Sequence, residues 1–182
     1  MLAVSGGANI AARVVGNGET LNRGRISAHA VLNYRRLIAG AHMAVVLIAE
    51  DDEDIAVILT RLLKRAGHTV WQEPDGQAAF ETAVAKRPDV VLTDLGMPRM
   101  DGLALTRSVR THPELADTPI IMLSGQLHPG DTQPAQAGVC AVLLKPCPND
   151  RVVKLVGELA QRGTHRHNAD SSECPRQNAV TA

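Results

Sequence analysis

One Trp, one Tyr and one Phe are the only aromatic side chains in this 182-residue chain. A core without rings must be filled by Ala, Val, Leu and Ile, which suits helices packed on strands. Three cysteines, Cys140, Cys147 and Cys174, cannot pair evenly and show no C-x-x-C spacing. They support neither a disulfide framework nor a zinc site, and a reducing, cytoplasmic setting is the simpler expectation. No apolar run approaches the roughly 18 residues of a membrane-spanning helix. Net charge is also lacking, but its distribution is uneven. Residues 1–42 hold five Arg against one Glu, whereas residues 43–162 hold 12 Lys/Arg against 16 Asp/Glu. An acidic central region is not built to coat nucleic-acid phosphates.

The length leaves room for one domain and two tails. Residues 1–42 are rich in Gly, Asn, Ala and Arg without a sustained period, and are expected to be disordered. Being Arg-rich and acid-poor, they weakly resemble an organelle transit peptide; alternatively, translation begins at Met43 and the extension is not native. Residues 163–182 read as a disordered polar tail. The folded domain is expected over 43–162.

Within it, short apolar runs alternate with helical periodicity. AVVLIA (44–49) is unbroken, the mark of a strand covered on both faces. Asp54 is expected to cap a helix carrying Ile55, Leu59, Leu62 and Leu63 on one face, ended by Gly67. HTVWQ is a second strand, 76–86 a helix, 89–93 a third strand, and 101–111 a helix with Leu103, Thr106 and Val109 inward. PIIML (119–123) is a fourth strand. Asp131 should cap a short helix with Pro134 in its first turn, where a missing N–H costs little. A fifth strand over 139–144 precedes a helix capped by Asn149 or Asp150, with Val152, Leu155, Val156 and Leu159 on one side. Five strands alternating with five helices predict an α/β doubly wound parallel sheet, whose functional crevice lies beyond the carboxyl ends of the strands.

The residues that follow the apolar runs are Glu50 and Asp51, then Asp94, Ser124 and Lys145. Three carboxylates at one sheet edge repel one another. At about 5 Å and an effective dielectric near 20 each pair costs roughly 3 kcal/mol. Either one acid is protonated, or a cation sits among them; hard oxygen ligands around an open position are what Mg²⁺ prefers.

In order and spacing, Glu50-Asp51, DLGMPRMDG (94–102), MLSG (122–125) and LLKPC (143–147) resemble the receiver domain of bacterial two-component response regulators, of the single-domain, chemotaxis-regulator-like kind. The resemblance covers residues 43–162 and implies a flavodoxin-like sheet of order 2-1-3-4-5. It implies that Asp94 accepts a phosphoryl group from a sensor histidine kinase or a histidine phosphotransfer protein. Asp51, Asp94 and the Gly96 carbonyl would ligate Mg²⁺, with Glu50 acting through water. Lys145 would pair with Asp94 or its phosphoryl oxygens, directed by Pro146, usually cis in the family. Ser124 would donate its hydroxyl to the phosphoryl group and draw the following loop inward. The chain would be a regulator and not an enzyme in its own right, signalling to an unidentified protein, with no nucleic-acid or membrane partner.

This sequence departs from the family at Val142, where an aromatic commonly reports phosphorylation. Gly96 and Gln126 occupy positions that tune acyl-phosphate hydrolysis in the family. A phosphatase of the haloacid dehalogenase type would need a second Asp two residues after Asp94, where Gly96 stands. A flavin-binding module would want amides and hydroxyls after the first strand, and EDDED (50–54) would repel its phosphate. A receiver used only as a scaffold remains a third alternative.

Overall fold

The computed structural model describes residues 43–128 and 130–165. The expectations for residues 1–42, and for the tail from residue 166 onward with Cys174, lie outside the described residues.

Ten elements alternate as the periodicity requires: β1 (Val45–Ala49), α1 (Glu53–Arg65), β2 (Thr69–Glu73), α2 (Gly76–Lys86), β3 (Val90–Asp94), α3 (Gly102–Thr111), β4 (Ile120–Ser124), α4 (Gln133–Ala137), β5 (Ala141–Leu144) and α5 (Asn149–Arg162). All strand pairs are parallel, in the order β2-β1-β3-β4-β5. The expected doubly wound topology is therefore present. Its switch point falls between β1 and β3, so the crevice opens between Glu50 and Asp94.

Strand periodicity divides the core in two. Val46, Ile48, Val90 and Leu92 face α1 and α5, meeting Leu59, Leu63, Val152, Leu155, Val156 and Leu159. Leu47, Ala49 and Val91 face the other way, onto Ala79 and Ala83 of α2 and Leu105 and Val109 of α3. Successive side chains point to opposite faces, so a strand covered on both must be apolar throughout. Burying each Val, Leu or Ile contributes about 1.5–3 kcal/mol, enough to hold the strand ends as rigid supports.

Several boundaries differ from the sequence expectations. The cap of α1 is Asp52, whose side chain accepts the Ile55 N–H at 3.0 Å; Asp54 lies in the first turn, where its charge still favours the helix dipole. Thr132 precedes α4 and makes no side-chain cap, while Asp131 accepts the His128 N–H at 2.8 Å. Pro148 precedes α5, again without a side-chain cap, and Asn149 and Asp150 are already helical. In each case several polar residues compete for one turn, and only the chain's entry angle chooses among them. Leu105 joins Leu103, Thr106 and Val109 on the buried side of α3. Asp94 and Ser124 are the last residues of their strands, one register step further than the apolar runs indicate.

Candidate functional site

Parallel register brings the strand ends level. Ala49 pairs with Glu73 and Thr93, Asp94 with Leu123, and Ser124 with Leu144. Glu50, Asp51 and Lys145 extend from that edge. Lys145 Nζ donates to Asp94 Oδ1 at 2.6 Å and to Glu50 Oε2 at 2.7 Å, tying β5 to both sides of the switch point. The Lys145–Pro146 peptide is cis, as the resemblance implies. Asp94 Oδ2 accepts the Gly96 N–H at 2.5 Å. Each carboxylate oxygen of Asp94 thus has one protein donor and keeps a lone pair for other chemistry.

Exposure grades the three linked side chains: Glu50 2%, Asp94 13% and Lys145 23%. Glu50 is walled in, whereas Asp94 has an open side. The chain around Asp94 is closely packed. Thr93 Oγ1 donates to the Asp94 carbonyl at 2.8 Å, and a Cβ on Gly102 would lie 2.1 Å from that carbonyl oxygen. Only glycine lets the start of α3 pass so close beneath the strand end.

Of the residues picked from the sequence, Glu50, Asp94 and Lys145 form one hydrogen-bonded group. Asp51 is exposed beside it, near enough for its charge to bear on Glu50. Gly96 is exposed next to Asp94. Ser124 is 1% exposed, and its Oγ accepts the N–H groups of Gln126 and Leu127 at 3.0 and 3.3 Å; it bonds to the loop, not to Asp94. Sequence reasoning missed the Lys145–Glu50 contact, because nothing in the order of residues says which of three acids an ammonium will reach. It also passed over Asp75 and Arg99, an ion pair next to the Asp94 loop.

Burial pushes the Glu50 carboxyl above the 4.5 of a free glutamate; the Lys145 hydrogen bond and charge oppose this, and repulsion from Asp94 and Asp51 adds to it. For Lys145, burial lowers the ammonium, but the hydrogen bonds to Asp94 and Glu50 prevail and hold it above 10.5. An acid whose folded pKa is raised contributes stability below its unfolded value and loses it as pH rises through the folded value. In chelator, Glu50→Gln is therefore expected to be more stable than wild type at neutral pH, and to lack the part of the decline that begins near 4.5. Thermal unfolding across acidic to neutral buffers measures this, and a Glu50→Gln midpoint at or below wild type at neutral pH would contradict it.

Three carboxylates against one ammonium leave an excess of two negative charges at an open, oxygen-lined edge. The upward shift of Glu50 despite Lys145 shows that the excess is felt. Among the described residues no three His, Cys, Asp or Glu side chains form a closed metal cage. Mg²⁺ does not need one, since it usually keeps several waters and is bound through one or two carboxylates. The donor set fits a hard divalent cation. No helix among the described residues is long and apolar enough to cross a membrane.

Residues 46–157 match the family model of the response regulator receiver domain. The transcriptional regulatory protein CseB of Streptomyces coelicolor is 32% identical over 129 residues, 70% of this chain and 54% of CseB. The chain spans about half, or less, of the length of the first curated relatives it matches. Among solved structures, the chemotaxis response regulator CheY4 of Vibrio cholerae superposes with a TM-score of 0.61 at 30% identity, covering 64% of this chain and 98% of that one. The receiver domain of the sensor histidine kinase PA1611 of Pseudomonas aeruginosa PAO1, with a magnesium ion coordinated in its active site cleft, gives 0.61 at 27% identity, covering 65% of this chain and 98% of that one.

Proposed function

The chain belongs to the response regulator receiver domain family, and from that premise we propose that it is a phosphoacceptor switch of a two-component phosphorelay, taking a phosphoryl group onto Asp94. The observation that carries the proposal is the convergence of Glu50, Asp94 and Lys145 in one hydrogen-bonded group at the switch point, with Asp94 open on one side. The donor would be a phosphohistidine of a sensor kinase or phosphotransfer protein. The chain performs one transfer per phosphorylation event, and its only turnover is slow hydrolysis of the acyl phosphate.

In the transfer an Asp94 oxygen forms a bond to phosphorus as the P–N bond to imidazole breaks, the nitrogen keeping the electron pair. The nucleophile is held by the rigid end of β3 and by the Gly96 N–H, so little orientation has to be gained at the moment of attack. The Lys145 ammonium lies 2.6 Å from Asp94 Oδ1, near enough to follow charge onto the phosphoryl oxygens. Asp51, Asp94 and the Gly96 carbonyl would hold Mg²⁺, with Glu50 reaching it through water; bound there, it neutralises charge on the incoming phosphoryl group.

Ser124 spends its lone pairs on the Gln126 and Leu127 N–H groups, which leaves its own O–H proton to donate. A phosphoryl group that attracts that proton moves an oxygen on which two backbone groups of the following loop hang. The displaced loop and neighbouring α4 would then be read by a partner protein. Val142 lacks the ring that would otherwise report the change, so the signal runs through Ser124. A cytoplasmic setting accords with the free thiols of Cys140 and Cys147.

Treating the chain with acetyl phosphate and Mg²⁺ is expected to add the mass of one phosphoryl group, mapped to Asp94 and lost on chelation before treatment. A chain left unmodified under those conditions counts against the proposal.

A further inference from the structure

Between Asp94 and α3 the chain makes an unusual turn. Arg99 has φ 62°, in the left-handed region, and the Met100 N–H turns back across it to the Pro98 carbonyl at 2.6 Å. Three-residue turns closed in this way over a residue of positive φ are rare and strained. A glycine would adopt the backbone freely, so an arginine at this position points to a use for its side chain.

That side chain forms an ion pair with Asp75, at the start of α2 on the adjoining loop. Asp75 is 1% exposed and Arg99 63%, so the carboxylate is the fixed partner and the guanidinium reaches down to it. The other Asp75 oxygen accepts the Gln77 and Ala78 N–H groups at 2.9 and 3.0 Å. Beside the pair, the Gly76 N–H donates to the Met100 carbonyl at 3.1 Å, and a Cβ on Gly76 would stand 2.3 Å from that oxygen. On the far side of Met100, the Asp101 side chain accepts the Ala104 N–H at 2.7 Å and the Gly102 N–H donates to the Leu95 carbonyl at 2.9 Å. A continuous run of contacts therefore leads from Asp75 through Arg99, Met100 and Gly102 to Leu95, next to Asp94.

We propose that Asp75 and Arg99 are positioning residues: their ion pair holds the 95–101 segment in its left-handed turn, fixes the Gly96 N–H on Asp94, and so sets the rate at which Asp94 accepts a phosphoryl group. This rests on the phosphoacceptor role proposed above. Neither side chain touches the reacting atoms. The effect is one of geometry, passed along the backbone.

The test uses the full chain, acetyl phosphate and saturating Mg²⁺, with phosphorylation followed by intact mass. Arg99→Ala and Asp75→Asn, which keeps an oxygen to cap α2, are each expected to slow modification by roughly tenfold. Arg99→Lys should recover most of the rate. The double variant should be no slower than either single one, because both remove the same contact. Arg99→Gly, which removes any backbone penalty together with the ion pair, should be as slow as Arg99→Ala. In chelated protein, amide hydrogen exchange at Gly96 and Gly102 should quicken in Arg99→Ala with the thermal midpoint nearly unchanged. An Arg99→Ala or Arg99→Gly rate within twofold of wild type, multiplied effects in the double variant, or unchanged exchange at Gly96 overturns the clamp while leaving Asp94 as acceptor. A wild type that takes no phosphoryl group overturns both.

Discussion

Asp94→Asn is expected to abolish phosphoryl gain from acetyl phosphate altogether while leaving the fold intact. Asparagine has the same shape, and its carbonyl oxygen can still accept from the Gly96 N–H or from Lys145, so packing at the end of β3 is preserved. It lacks the anionic oxygen that attacks phosphorus, and no neighbour can replace it. Glu50 is 2% exposed and engaged with Lys145, and Asp51 stands on the flexible side of the edge, after β1 and outside any strand. The same substitution removes one of three hard oxygen donors. Mg²⁺ should therefore raise the thermal midpoint of wild type more than that of Asp94→Asn, since a ligand stabilises by an amount that grows with its concentration over Kd, about 2.7 kcal/mol at one hundred times Kd. Intact mass and a Mg²⁺ series of melting curves check the two parts separately. A phosphoryl group found on Asp94→Asn would move the acceptor elsewhere.

Much of this site was legible in the sequence because a doubly wound sheet converts position along the chain into position in space. An unbroken apolar run such as VVL (90–92) can only be a strand covered on both faces, and whatever follows it emerges at the crevice. Glu50, Asp94, Ser124 and Lys145 were found by that rule, and the structure places all four at one edge. The pairings were less legible. Lys145 reaches Glu50 as well as Asp94, a choice made by the twist and spacing of β1, β3 and β5. Ser124 was expected to face the phosphoryl group, yet its oxygen is occupied by the loop it is meant to pull.

Helix starts were the least legible feature. In EDDED three acids could each cap α1, and only the extended backbone of Asp52, with φ −80° and ψ 110°, selects among them. The Asp75–Arg99 pair lay hidden for a different reason. Residues 24 apart in sequence meet because α2 and α3 begin side by side, and neither DG at 75–76 nor PRM at 98–100 contains a sign of it. Gly76 and Gly102 were the available signal. Both sit where another backbone carbonyl approaches closer than any Cβ allows, a sterically driven choice of glycine that marks a crossing of chains.

Lys145→Ala is expected to produce the largest loss of stability of any substitution at this edge, together with the loss of most phosphoryl acceptance. Removing one partner of a buried ion pair costs about 3–5 kcal/mol because the other charge is left uncompensated. Here one ammonium serves two carboxylates, but Lys145 is 23% and Asp94 13% exposed, so water offsets part of the loss and about 2–3 kcal/mol is expected. The loss should depend on pH. Glu50 already lies above the ordinary carboxyl value through burial, and without the opposing Lys145 hydrogen bond it must rise further. Sign follows from linkage: a carboxyl raised in the folded state is tolerated below its unfolded value and penalises folding as pH climbs through the folded one. Lys145→Ala should thus approach wild-type stability in mildly acidic buffer and fall well below it at neutral pH. Adding Glu50→Gln should return part of the loss, since the amide leaves no charge to neutralise, and Mg²⁺ should return part of it in the single variant by supplying positive charge from outside. Neither remedy should restore phosphoryl acceptance, because the ammonium beside Asp94 Oδ1 is still absent. Melting curves of the single and double variants at both pH values, with Mg²⁺ and with chelator, separate these effects. A Lys145→Ala protein as stable as wild type at neutral pH in chelator would mean that the carboxylates are neutralised by something other than Lys145.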